Sequence, residues 1–370
     1  MGFLDFAFYG FVAVVIIQVV FYVFLFGKFA FSKQKKVTPK NIAISVIICA
    51  KNEAENLKRF LPSIIEQDYP NFEIVLINDS SKDDTLEVIH HFSKLHDNLK
   101  VVNVKSIEAF WGNKKYALTL GIKASNNDFL LFTDADCKPV SKYWIKEMSA
   151  HFSNTKSIVL GYGAYSKIKN SILNKLVRFE TLITAINYFS FAKSSLPYMG
   201  VGRNLAYTKK EFFDANGFIN HIKLRSGDDD LFVNQIATQN NTTICFSKDS
   251  FTESIPKTTF KGWFKQKRRH VSTAKHYKMK HKVLLTLLYI SNVLFWLFAI
   301  ILFVSLFKWQ MVLGLFLFRI VLQYTILGVS SKKLGETDLL VSLPFLEIFL
   351  IITQLTIFIN NLISKPIHWK

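Results

Sequence analysis

Two clusters of carboxylates have the residue types and spacing to do chemistry. Asp134-Ala135-Asp136 sets two carboxylates two residues apart, directly after the apolar run 129–133 (FLLFT). At a strand end such a pair can reach toward one ion. A hard divalent cation such as Mg2+ or Mn2+ takes one or two carboxylates plus substrate phosphate oxygens. Alone the triplet says little, because Asp at a strand end is also a common helix cap. The second cluster, Gly227-Asp228-Asp229-Asp230-Leu231, opens a segment with Leu231, Phe232 and Ile236 at helical spacing. Three merely solvated carboxylates are the plain reading. Bounded by apolar residues, however, they crowd one another, which raises carboxyl pKa values as a general base requires.

The elements that must position these groups lie between residues 41 and 282. There, short β-branched strands alternate with amphipathic helices, the pattern of an α/β, mostly parallel sheet flanked by helices. Strands are expected over 42–49, 72–78, 99–104 and 129–133, and helices over 55–67 and 114–124. Asp79-Ser80-Ser81-Lys82-Asp83 offers oxygens to cap a helix carrying Leu86, Ile89 and Phe92. In open sheets ligands bind beyond the carboxyl ends of the strands. Lys51-Asn52-Glu53, Asn78-Asp79 and Asp134-Ala135-Asp136 all fall there, making one polar rim. The first strand is followed by no glycine-rich loop, which argues against a dinucleotide fold or a P-loop; Gly200-Val201-Gly202 comes late and reads as a loop. Over 168–191, Ile172, Leu176, Phe179, Ile183 and Ile186 form one apolar helical face.

The 370 residues carry 46 Lys+Arg against 27 Asp+Glu, a formal charge of +19, with 50% hydrophobic residues. That is too apolar for disorder and too charged for a pure membrane bundle. Runs 6–26, 283–307, 309–329 and 339–363 are each long enough to span a bilayer, giving one N-terminal and about three C-terminal transmembrane helices. The first reads as an uncleaved anchor, since no Lys or Arg precedes it and no small-x-small site follows. Lys28, Lys33, Lys35, Lys36 and Lys40 after it, with Lys332 and Lys333 later, place the following domain in the cytosol of the cell membrane. The expected division is 1–40 anchor and linker, 41–282 catalytic domain, 283–370 membrane helices. Arg319 and Glu347 lie roughly 15 and 12 Å deep and are expected to pair as a structural ion pair. Pro344 leaves the last helix kinked or partly re-entrant and the side of its far end open. Nine Lys or Arg over 261–282 suit anionic headgroups, and no nucleic-acid module is present. Cys49, Cys137 and Cys245 lack C-x-x-C spacing, so they suggest neither a disulfide framework nor a zinc site.

The ordered strings SVIICAKNEAENL, VLINDSSKDDT, GNKKYALTLGIKASNNDFLLFTDADC, VGRNLAY, SGDDDLF and QKRRH resemble a membrane-anchored family 2 glycosyltransferase through most of 41–282. The resemblance implies a GT-A fold, a nucleotide-diphosphate sugar donor, a divalent metal and inversion at the anomeric carbon. It implies that Asn52, Glu53, Asp79 and Lys114 or Lys115 contact nucleotide. Asp136 would bind metal, and Asp134 would be shared between nucleotide and metal. Counting back from Leu231 places the base at Asp228, with Gly227 where the family commonly has Glu; aligning on Gly-Asp-Asp makes it Asp229. Gln266, Arg269 and His270 give Gln-x-x-Arg-His where polymerising members have Gln-x-x-Arg-Trp. Gln266 and Arg269 would then face acceptor or diphosphate, because a guanidinium grips phosphate bidentately. The expectation is a metal-dependent hexosyltransferase-type enzyme acting on a lipid-linked or glycan acceptor. Its rivals are a processive polysaccharide synthase, a polyprenyl-phosphate glycosyltransferase and an inactive nucleotide-binding scaffold.

Overall fold

The computed structural model describes residues 2–34, 37–38, 40–105, 113–224 and 226–364. Of the lysines that set the expected topology, Lys35 and Lys36 lie outside these residues, as does Gly112 of the GNKKYAL string. The β-branched runs form strands β1 (Ile44–Ala50), β2 (Phe72–Asp79), β3 (Leu99–Val104) and β4 (Phe129–Asp134), followed by β5 (Cys137–Pro139), β6 (Ile158–Leu160), β7 (Gly163–Tyr165), β8 (Leu205–Thr208), β9 (Thr242–Ile244) and β10 (Thr252–Ser254). Seven make one sheet in the order β3-β2-β1-β4-β8-β6-β9, and β5-β10-β7 make a smaller one. Pairing is parallel from β3 through β4, while β8 runs antiparallel to both its neighbours.

Alternate residues of β1 and β2 bury opposite faces, as a pleated strand requires. Ile47, Val75 and Ile77 pack with Ala117, Leu118 and Ile122 of helix Asn113–Ala124. Val46, Ile48 and Leu76 pack with Leu57, Leu61 and Ile64 of helix Ala54–Ile65. Gly121 permits the first contact, since a Cβ there would sit 2.2 Å from Ile77 Cδ1. The antiparallel register pairs Phe132 with Leu205. It therefore sets the end of β4, with Asp134, beside the Gly202-Arg203 entrance to β8.

Four helices are long and apolar enough to cross a membrane: Phe3–Ala30, Met279–Val304, Trp309–Leu334 and Thr337–Ile363. Arg319 and Glu347 pair as expected, at 2.5 Å, inside a wider polar cluster. Arg319 also donates to Gln18 and Gln323 at 2.6 Å each and lies 4.4 Å over the Phe295 ring, so its donors and its face are occupied. The first helix continues to the sheet-bearing region, where Phe29 packs on Phe189 and Phe246, with ring centroids at 5.1 and 5.3 Å. Buried Arg178, on helix Ile172–Lys193, clasps Glu336, just before the last of these helices, and Asp338 at its start.

Candidate active site

Asn52-Glu53, Asp79 and Asp134 lie at the carboxyl ends of β1, β2 and β4, and one lysine links the last of these to the acidic loop. Lys114, on the first turn of Asn113–Ala124, reaches Asp134 at 3.0 Å and Asp228 at 2.9 Å. The two carboxylate clusters, far apart in sequence, thus stand one ammonium apart. Lys115 does not join them. Its buried Nζ donates to the carbonyls of His221, Leu224 and Ser226 at 2.8, 3.0 and 2.8 Å. It fixes the loop that leads into Asp228, which leaves Lys114 as the one of the two expected lysines that faces the acidic clusters.

The acidic loop is shaped by its glycine. Gly227 has φ +96°, a conformation that favours glycine, and a Cβ there would lie 2.5 Å from Leu231 Cδ1. A Glu at this place would be strained. The three aspartates then diverge. Burial pushes the Asp228 carboxyl up, but Lys114 and backbone hydrogen bonding outweigh it and hold Asp228 below the usual range. Asp229 is pushed up to about 7 by burial, then by the charges of Asp228 and Asp230. Its two oxygens accept the N–H groups of Gly202 and Asp230 at 2.7 Å each. Asp230 is buried and accepts the hydroxyls of Thr273 and Tyr277, the latter at 2.6 Å, which ties down the chain leading into the apolar helix Met279–Val304. Mutual crowding therefore raises Asp229 and contributes to the rise of Asp230, while Asp228 escapes through its lysine.

Asn52 has φ +54°, and its Oδ1 accepts the Lys82 N–H at 2.8 Å. Glu53 accepts from Asn56 at 2.5 Å. Asp79 is buried, which raises its pKa despite Lys51 at 3.6 Å. The following helix is organised by Asp83, which accepts the Thr85 N–H at 3.2 Å and the Ala54 N–H at 3.3 Å. Gln266 and Arg269 occupy successive turns of helix Phe260–Val271, half-buried. Burial lowers the Arg269 pKa, and the charges of Asp228, Asp134 and Asp229 oppose that shift, so the guanidinium feels the acidic cluster. Arg203, which carried no expected role, stacks 4.2 Å over Tyr165, donates to Ala164 O and Ser254 Oγ at 3.1 Å, and feels the charge of Asp136. Its place in the VGRN string was the available signal.

Asp134, Asp136 and Cys137 each offer a ligand atom, all within 4.8 Å of one another. Burial raises the Cys137 thiol, which contacts Ser254 Oγ at 3.0 Å, so it stays protonated and unsuited to a hard cation. Burial and the charge of Asp134 also raise Asp136, the situation a cation between them would relieve. The donor set fits Mg2+ or Mn2+ held by Asp134 and Asp136 with remaining positions for substrate oxygens.

Residues 45–213 match the family model "Glycosyl transferase family 2". The chain carries a family 2 glycosyltransferase domain. Glycosyltransferase AglE of Haloferax volcanii is 32% identical over 120 residues, covering 32% of this chain and 38% of that protein. The poly-beta-1,6-N-acetyl-D-glucosamine synthase of Staphylococcus epidermidis is 32% identical over 179 residues, 42% of this chain and 41% of the synthase. The chain thus spans about two fifths of these relatives' lengths. Among solved structures, a mannosyltransferase, PcManGT from Pyrobaculum calidifontis in complex with GDP-Man and Mn2+, superposes with a TM-score of 0.59 at 16% identity, covering 90% of this chain and 98% of that one. The glycosyltransferase domain has a GT-A-like sheet, attached to helices suited to a membrane.

Proposed function

We propose that this protein moves a sugar from a nucleotide-diphosphate donor to a lipid-linked or glycan acceptor at the cytosolic membrane face, with inversion at the anomeric carbon. The observation that carries the reading is Lys114 bridging Asp134 and Asp228. It sets a cation-binding carboxylate within one side chain of a carboxylate able to act as base. Asn52, Glu53 and Asp79 on the adjoining rim face the nucleoside. Asp134 and Asp136 would hold a divalent cation, which would supply positive charge to the diphosphate leaving group. The likeness to a mannosyltransferase complexed with GDP-Man and Mn2+ supports a nucleotide sugar and a metal here.

When donor phosphates arrive they compete for the Lys114 ammonium, and Asp228 loses its strongest partner. Its carboxylate then takes the proton of the acceptor hydroxyl as that oxygen attacks the anomeric carbon opposite the leaving group. An α-linked donor gives a β-linked product. Asp229 positions the loop through Gly202, while Arg269 and Gln266 face the diphosphate or acceptor from the helix beside the membrane. The test is mass analysis of products from a panel of nucleotide sugars, with and without membrane lipid. Lipid-extractable product carrying one or a few sugars is expected. A long water-soluble polymer made without lipid would assign a processive synthase, and no product from any donor would favour a scaffold.

A further inference from the structure

The segment Thr337–Ile363 is long and apolar enough to cross a bilayer, yet both its ends are bonded to the catalytic domain. At its start Asp338 accepts from Arg178 at 2.7 and 2.9 Å and from Lys167 at 2.8 Å. At its far end Arg268 donates to Asn361 Oδ1 at 3.0 Å, Asn360 O at 3.0 Å and Ser364 O at 2.7 Å. Asn361 returns a bond to Arg268 O at 3.1 Å. Arg268 belongs to Phe260–Val271, which the Lys267–Glu180 ion pair and buried Trp263, packed with Val177, fasten to helix Ile172–Lys193. Between the two ends Phe349 meets Phe260 edge-on at 6.0 Å.

A spanning helix would separate its ends by the ~30 Å of the hydrocarbon core. Helix Leu343–Ile363 has 21 residues and is ~31 Å long, so it could do this only by carrying Asn360 and Ser364 away from Arg268. Its surface is divided in two. Leu343, Leu346, Leu350 and Ile357 are buried against protein, whereas Phe345, Ile348, Ile352, Leu355, Ile359 and Leu362 form an exposed, wholly apolar stripe at alternating three- and four-residue spacing.

We propose that Leu343–Ile363 lies along the leaflet on the catalytic-domain side instead of crossing it. Its partner is a lipid surface: the outer stripe sits among acyl chains, and Arg268 holds the Ser364 end at headgroup level. Glu347, bonded to Arg319, anchors the first turns to the membrane bundle. The helix and Phe260–Val271 then form a paired ledge that places Gln266 and Arg269 beside the lipid headgroups.

The test is sidedness in the full chain. Ser364→Cys, Lys94→Cys on the catalytic domain and Ser305→Cys between the second and third membrane helices are each labelled with an impermeant maleimide, in intact cells and in inverted vesicles. Labelling is read above that of the chain's own cysteines. Ser364→Cys is expected to label only where Lys94→Cys does, with Ser305→Cys labelling in the opposite preparation. Labelling of Ser364→Cys together with Ser305→Cys, or in neither preparation before detergent, overturns the proposal. Because Lys94 and Ser305 are the references, the outcome depends neither on which face is cytosolic nor on the enzyme's activity.

Discussion

Replacing Asp229 by Asn tests the electrostatics of the acidic loop without activity as the readout. The folded-state pKa of about 7 lies above the carboxyl's ordinary 3.8. The folded protein therefore holds this proton more tightly than the unfolded chain, and stability falls as pH rises from about 4 to 7. At about 1.4 kcal/mol per pH unit, moving from pH 5.5 to 8 costs the wild type roughly 2 kcal/mol at this group. In Asp229→Asn the side chain cannot ionise and escapes that cost. Its amide can replace only one of the two accepting oxygens now facing Gly202 and Asp230, a loss of about 1–2 kcal/mol at every pH. The variant should be less stable than wild type at pH 5.5 and should close or reverse the gap at pH 8, a relative change of roughly 3–6 °C in Tm. Thermal melts of both proteins in the same detergent at the two pH values decide it. Other raised carboxyls, such as Asp230, are common to both proteins and largely cancel. A deficit of equal size at both pH values would refute the reasoning.

Asp136→Ala should abolish metal-dependent donor binding while leaving the fold intact, read by calorimetry with nucleotide and Mn2+; unchanged binding would remove the metal role. Lys114→Met leaves Asp134 and Asp228 without their shared ammonium. It should weaken donor binding at least tenfold and destabilise the fold by about 3 kcal/mol, as broken buried ion pairs do, measured by calorimetry and melting. Arg319→Met should cost about 3–5 kcal/mol by stranding Glu347, and adding Glu347→Met should recover part of it; a melting series that shows additive losses would contradict the pairing.

The strands were legible because each is a short apolar run closed by polar residues. β3 spans the expected residues and β2 exceeds its expected range by one. Adjacent like residues were not legible. Neighbours on a helix point about 100° apart, so Lys114 enters the site while Lys115 turns to the loop carbonyls. The same ambiguity covered Asp228, Asp229 and Asp230, whose separate fates depend on Lys114, Gly202 and Tyr277, all distant in sequence. The Arg319–Glu347 pair could be expected, since each charge in an apolar run demands a partner. The Arg178 and Arg268 bonds to the last membrane segment could not, because nothing local marks which of many cationic residues meets it. Gly227, which departs from the family's common Glu, makes sense only once its φ of +96° is known.

The most direct test of the proposed chemistry compares Asp228→Asn with Asp229→Asn in donor binding and in sugar transfer. Asn keeps the shape of Asp but cannot take a proton from the acceptor. Asp228→Asn should bind nucleotide and Mn2+ within a few-fold of wild type and lose transfer by at least ~100-fold, the scale of general-base catalysis, while Asp229→Asn keeps measurable turnover. Near-normal transfer by Asp228→Asn alongside an inactive Asp229→Asn that still binds donor would contradict the assignment and move the base to Asp229.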